Sequence, residues 1–177
     1  MRRLLVAALS VVAVVATLSG TALASNDTFF SRQWALSQIG APQAWTRSTG
    51  SGITIGIVDT GVDLGHPDLA GKIAITADCV GRPCIAGGGQ DNHGHGTIVS
   101  GIAAASTGNG KGVAGVAPDA RLAVAKVLNS AGEGRVEDIN NGIRWVVDNG
   151  ARVVNLSVGD PNFLISSVAG SPLRTGI

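Results

Sequence analysis

A chain of 177 residues is long enough for one domain with a sizeable core, and its formal net charge of +1 includes no basic block of the kind that nucleic acid or an anionic membrane surface would need. Its 26 glycines follow no Gly-X-Y period and aromatics make up only 3%, so the glycines point to tight turns and close backbone approaches, and a collagen-like fibre is excluded.

The chain opens on Arg2-Arg3, an apolar run from Leu4 to Leu18, and the small-x-small triplet Ala22-Leu23-Ala24. That order describes a secretory leader over 1–24, cleaved after Ala24, so the mature chain starts near Ser25 outside the cytoplasm. A transmembrane anchor is the rival reading. Its apolar core is short for a span, and Ser19-Gly20-Thr21 interrupts it before the cleavage triplet, so no stable anchor is expected.

Ser31 to Leu36 and Ala41 to Trp45 read as short helical or turn pieces, each with a tryptophan, and Gly50-Ser51-Gly52 punctuates them. Ile53 to Val58 is a β-branched apolar run followed by Asp59-Thr60-Gly61, which predicts a buried parallel strand and the turn after it. Lys72 to Thr76 is a further strand and Gly87 to Gln90 a loop. Between them lie Cys79 and Cys84, separated by four residues that include Gly81 and Pro83. In an oxidising compartment a disulfide closing this small loop is the first reading, with modest stabilisation because a short loop removes little unfolded-state entropy. A metal site is the alternative, but the loop holds no histidine and the chain no further cysteine.

The pattern turns helical from His95 to Ser106, with Ile98, Ile102 and Ala105 on one face and the small residues Ser100, Gly101 and Ala104 allowing close packing. Arg121 to Val127 is another buried strand and Ser130 to Gly134 a polar loop. Val136, Ile139, Ile143, Val146 and Val147 recur at helical spacing, and Asn149-Gly150 ends that helix. Arg152 to Ser157 is the next strand, and Ser171-Pro172-Leu173 reads as the cap and first turn of a helix. Strands alternating with helices predict an α/β fold, a three-layer parallel sheet flanked by helices and built from right-handed βαβ units. Reactive groups in such sheets gather at the carboxyl ends of strands, where Asp59 and Ser157 fall.

Taken singly, Asp59 is a turn-capping aspartate and His95 a helix-start histidine. Together they have a shared use. A buried carboxylate can accept the Nδ1 hydrogen of an imidazole, fix its tautomer and stabilise the imidazolium formed when Nε2 takes a proton. His93 and His95 could also form a metal pair, which a small metal-binding protein would complete with Asp59, but no third ligand follows by local spacing, and His93 reads as a solvated loop residue. His66, before Pro67-Asp68, reads as a turn histidine.

Asp59-Thr60-Gly61-Val62-Asp63, His66-Pro67-Asp68-Leu69 and Gly94-His95-Gly96-Thr97 with Val99-Ser100-Gly101 resemble the subtilisin-like serine peptidases. Gly115-Val116-Ala117-Pro118 and Val154-Asn155-Leu156-Ser157-Val158-Gly159 resemble further segments of that family, and Phe30 through Trp45 is closest to its thermitase branch. The Asp-then-His order is the one that family uses for its triad. By position, the resemblance implies Asp59 as the triad aspartate and His95 as the general base of a secreted serine endopeptidase. It implies that Ser157, Val158 and Gly159 form one edge, and Gly132 to Gly134 the other, of a channel in which an extended polypeptide substrate pairs as an added strand. Asp160 departs from the small residue that the family commonly has after that glycine.

The resemblance also implies a structural calcium ion, held by Asp68, Asn109 and Asp27 with carbonyls from the Thr107 to Val113 loop. An ordinary Gly-Asn turn is the other reading of that loop, and Lys111 within it does not favour a cation. The family's oxyanion asparagine and Gly-Thr-Ser-Met-Ala nucleophile segment do not occur within the 177 residues. Ser167 to Pro172 imitates that segment only loosely. The expectation is therefore a partial peptidase domain over 25–177 that stops before the nucleophile and is inactive alone, from a parent that is monomeric. The mature-like segment begins so near the cleavage point that no propeptide fits between them. The alternatives are a secreted, catalytically inactive pseudoprotease that binds peptide or a protein partner, and a small metal-binding protein.

Overall fold

The computed structural model describes residues 25–159, so the leader, Asp160 and the Ser171-Pro172-Leu173 segment lie outside the described residues. Five strands form one sheet: β1 (Thr54–Asp59), β2 (Ile73–Asp78), β3 (Ile85–Ala86), β4 (Arg121–Lys126) and β5 (Val153–Leu156). Their order is β3-β2-β4-β1-β5. β1 lies parallel between β4 and β5, and β2 runs parallel to β4, as the alternation of strands and helices predicts. The exception is β3, a two-residue strand that turns back antiparallel to β2 and pairs Ile85 with Asp78. It is too short to leave a period in the sequence. The loop read over Gly87 to Gln90 contributes isolated bridges, Ala77 with Gly87 and Val62 with Gln90.

Successive residues of a strand point to opposite faces, and the central strands are apolar on both. On one face Ile57, Leu122 and Val124 pack with Leu69, Ala104 and Ala105 beneath helix α3 (His95–Ala104). On the other, Val58, Ala123 and Ala125 pack with Val127, Ile139 and Val146 beneath helix α4 (Val136–Asp148). The result is three layers with β1 and β4 fully sandwiched. α4 presents the predicted apolar stripe to the sheet. α3 does the reverse: its buried residues are the small ones, Gly96, Ser100, Gly101 and Ala104, while Ile98 and Ile102 are 65% and 55% exposed. Small residues let the helix backbone approach the strands closely, so the bulky pair is left on the outer side.

Short helices α1 (Trp34–Gln38) and α2 (Ala41–Ala44) follow a turn of 3-10 helix at Phe30–Arg32. Here one tryptophan does the anchoring. Trp45 is buried beside Phe30, Leu36 and Ala114 and donates its indole N–H to the Val116 carbonyl at 2.9 Å, whereas Trp34 is exposed. Cys79 and Cys84 are joined by a disulfide. Its loop docks on α4 because Gly81 N–H donates to Asp138 at 3.0 Å. The Arg135 guanidinium beside Asp138 holds that carboxyl below its ordinary value, against the opposing effect of burial. At the other side, β5 is the last strand of the sheet among the described residues, with Val153 and Leu156 exposed. Among the described residues no helix is long and apolar enough to cross a membrane.

Candidate active site

Strand register brings the chemistry together. Asp59, the last residue of β1, lies beside Lys126, the last residue of β4, and Val58 lies beside Leu156 of β5. Three carboxyl ends of parallel strands therefore open at one place, where α/β sheets carry their reactive groups. α3 begins there, with His95 as its first residue.

Asp59 is completely buried, and its Oδ1 is 2.7 Å from Nδ1 of His95. The same oxygen accepts the Thr60 N–H at 2.6 Å. An ionised carboxylate can only accept, so the imidazole proton sits on Nδ1 and the lone pair on Nε2. The His95 side chain is 42% exposed and lines a cleft of about 420 Å³. A base held at one nitrogen and free at the other is what proton transfer from a group in that cleft requires.

Gly132 and Gly134 lie in one wall of this cleft, and Ser157, Val158 and Gly159 in another, with Thr60 and His95 between them. The first wall is shaped by Asn129, whose Oδ1 accepts N–H groups of Ala131 and Glu133 at 2.8 and 3.0 Å. His93 is exposed and lines the same cleft, packed on Gly132. It does not combine with His95 and Asp59 as a ligand set: among the described residues no three His, Cys, Asp or Glu side chains come together to hold a metal. His66 lies apart, accepting the Asp68 N–H at Nδ1 within its turn.

Two residues of the site escaped the sequence reading. Lys126 is buried, and its Nζ donates to the carbonyls of Thr60 and Leu128 and to Asn92 Oδ1 at 2.6, 2.9 and 2.9 Å. It ties together the three segments that leave β1, precede α3 and leave β4. Burial pushes its ammonium below the ordinary value, opposed by Asp91, Asp78 and Asp59. A lysine inside an otherwise apolar strand is the sequence sign that marks it, since lysine is almost never fully buried unless paired. Asp91 is the other, and a helix-capping aspartate shortly before a helix start is a recognisable pattern.

Away from the cleft, Asp27, Asp68 and Asn109 meet at the 107–113 loop. Asp27 Oδ1 and Oδ2 accept the N–H groups of Asn109 and Gly108 at 3.0 and 3.1 Å. Asp68 accepts Asn109 Nδ2 at 2.8 Å and the Val113 N–H at 2.8 Å. Both carboxylates are buried, and neither has an ion-pair partner among the described residues. Gly112, at a φ of 40°, passes so close to Asp68 that a Cβ there would collide with the carboxylate. Each of these carboxylate oxygens accepts an N–H, and Asn109 turns its Nδ2 and not its oxygen toward Asp68, so the cluster is closed by hydrogen bonds, while carboxylate and amide oxygens are the ligand type a hard cation takes.

Residues 50–174 match the subtilase family (Peptidase_S8). The chain is 47% identical over 135 residues to thermitase of Thermoactinomyces vulgaris, an alignment that covers 76% of this chain and 47% of that protein. It is 44% identical over 131 residues to Subtilisin Savinase of Lederbergia lenta, covering 73% of this chain and 46% of that one. Among solved structures, a protease of Pseudoalteromonas arctica PAMC 21717 superimposes with a TM-score of 0.69 at 28% identity, over 86% of this chain and 56% of that one. The doubly covered parallel sheet is thus the fold of the matched protease. This chain belongs to the subtilase family. It spans about half the length of these relatives.

Proposed function

We propose that the chain is the amino-terminal half of an exported serine endopeptidase domain that cleaves extended polypeptides. The observation that carries this reading is the 2.7 Å contact of His95 Nδ1 with buried Asp59, set against an open cleft. In that arrangement Nε2 of His95 takes the proton of a serine hydroxyl as its oxygen attacks the scissile carbonyl, then returns it to the leaving amine. Asp59 stabilises the imidazolium meanwhile. Gly132 to Gly134 and Ser157 to Gly159 are the edges on which substrate backbone pairs, so affinity comes largely from main-chain hydrogen bonds. Export follows from the leader over 1–24, and the domain acts as a monomer.

The serine comes from sequence outside these 177 residues. The purified chain is therefore expected to leave a labelled casein substrate intact, while the coding sequence continued past codon 177 contains a Gly-Thr-Ser-Met-Ala segment. Hydrolysis by the chain itself, abolished by a serine-directed inhibitor, would overturn this reading. Saturable peptide binding with no such segment downstream would instead make the protein a peptide-binding pseudoenzyme.

We further propose that Asp27, Asp68 and Asn109, with carbonyls of the 107–113 loop, hold a structural calcium ion. When bound, the ion neutralises two buried carboxylates and ties the amino-terminal segment to the loop after α3. Calcium at about a hundred times its dissociation constant should add about 3 kcal/mol of stability, and Asp68→Asn should remove that gain. Melting curves with calcium and with a chelator that coincide for the unsubstituted chain would refute the site.

A further inference from the structure

Asp91 precedes α3 and lies outside the Asp59–His95 pair, yet its carboxylate touches the neighbours of both. Oδ1 accepts the Thr60 hydroxyl at 2.9 Å and the N–H groups of His93 and Gly94 at 3.0 and 2.9 Å. Oδ2 accepts the N–H and the hydroxyl of Thr97 at 2.9 and 2.6 Å. Thr60 directly follows Asp59, while Gly94 and Thr97 bracket His95 in the first turn of its helix. The Thr60 hydroxyl also accepts the N–H of Gly96 at 2.8 Å, so β1 and α3 are tied twice at this one oxygen.

We propose that Asp91 is a positioning residue, whose carboxylate clamps the end of β1 to the head of α3 and thereby sets the Asp59–His95 distance. The proposal rests on the reading of that pair as the catalytic dyad. Five donors converge on the two oxygens of one carboxylate, which is a demand no neutral side chain of the same shape meets: an asparagine would turn an NH₂ group toward at least one N–H. Burial alone would raise the Asp91 carboxyl, but the donors from Thr97, Gly94 and His93 outweigh it and hold the group well below the usual carboxylate range. The clamp is braced from the sheet side, where Lys126 Nζ binds the Thr60 carbonyl and Asn92 Oδ1.

Capping a helix and setting a catalytic distance have separable consequences. Loss of a cap alone lowers the melting temperature and leaves the dyad contact intact. Loss of the clamp releases His95 from Asp59 in a chain that is still folded. The test is proton NMR of the whole 177-residue chain, reading the low-field resonance of the His95 Nδ1–H held on Asp59, with circular dichroism to establish folding. In Asp91→Asn the resonance is expected to vanish or move upfield at temperatures where the fold persists. Thr60→Val, which keeps the carboxylate and removes only the bridging hydroxyl, should weaken it in the same direction and serves if Asp91→Asn does not fold. A resonance unchanged in a folded Asp91→Asn or Thr60→Val chain overturns the positioning role while leaving the dyad standing. Its absence from the unsubstituted folded chain, or its persistence in a His95→Ala control, overturns the dyad and with it this proposal.

Discussion

In the complete peptidase domain, His95→Ala is expected to lower kcat on the order of a million-fold, and Asp59→Asn about ten-thousand-fold, the magnitudes known for the same pair in subtilisin and its analogues. The asymmetry follows from the geometry. Without His95 the cleft keeps no base oriented by a buried carboxylate, since His93, which lines it too, has no carboxylate partner among the described residues. Without the Asp59 carboxylate the imidazole is still present, but nothing fixes its proton on Nδ1 at 2.7 Å from Oδ1, so the wrong tautomer faces the substrate. KM should change little in either variant, because on the proposed reading the substrate is held by main-chain pairing along Gly132 to Gly134 and Ser157 to Gly159. Steady-state hydrolysis of a peptide substrate checks this. A His95→Ala domain that retains more than about a thousandth of the activity would show that another group acts as the base.

Gly96→Ala is expected to destabilise the chain by about 3 kcal/mol and to part the dyad. A Cβ at residue 96 would overlap the Gly61 carbonyl oxygen and stand 3.1 Å from both the Gly61 nitrogen and the Thr60 hydroxyl. These are backbone atoms or are tied to backbone, so they cannot rotate away as the end of a long side chain could. Nor can Gly61 retreat: its φ is 107°, and on its far side it packs against the Gly89 carbonyl. α3 must therefore lift off the turn after β1, and His95, one residue before Gly96, moves with it. Urea unfolding with an unchanged m-value measures the loss, and a shift below about 0.5 kcal/mol would mean that the approach is looser than described.

Gly96→Ala thus disturbs the same seam that Asp91 holds together, from the steric side instead of the electrostatic one. The seam was only partly legible in the sequence. Gly94-His95-Gly96-Thr97 stood out as a resemblance, yet why small residues must flank the histidine depends on Gly61, 35 positions earlier, being pressed against the helix. The sequence does not mark Asp91 as more than a cap, because four of its five donors are local and only the Thr60 hydroxyl, 31 positions earlier, ties it to the end of β1. Lys126 was absorbed into the apolar run of β4 for the same reason.

Elements with a strong period were readable. The β-branched run of β1 and the regular apolar spacing of α4 place themselves, since burial on one or both faces demands those patterns. α3 was recognised as a helix, but its exposed side was not. Ile98 and Ile102 share a face because of helical spacing alone; that this face turns outward was decided by the burial of the small residues Gly96, Ser100, Gly101 and Ala104. Strand β3 left no pattern at all, because two residues are too few to alternate.

By itself, then, the chain determined its family and its α/β alternation and singled out Asp59 and His95 as the candidate acid-base pair, because these rest on residue types at fixed local spacing. The tertiary structure decided the contact between Asp59 and His95, the convergence of the cleft walls and the carboxylate clamp at Asp91. Each of those depends on groups far apart in the chain meeting across parallel strands whose register is set only when the three layers pack.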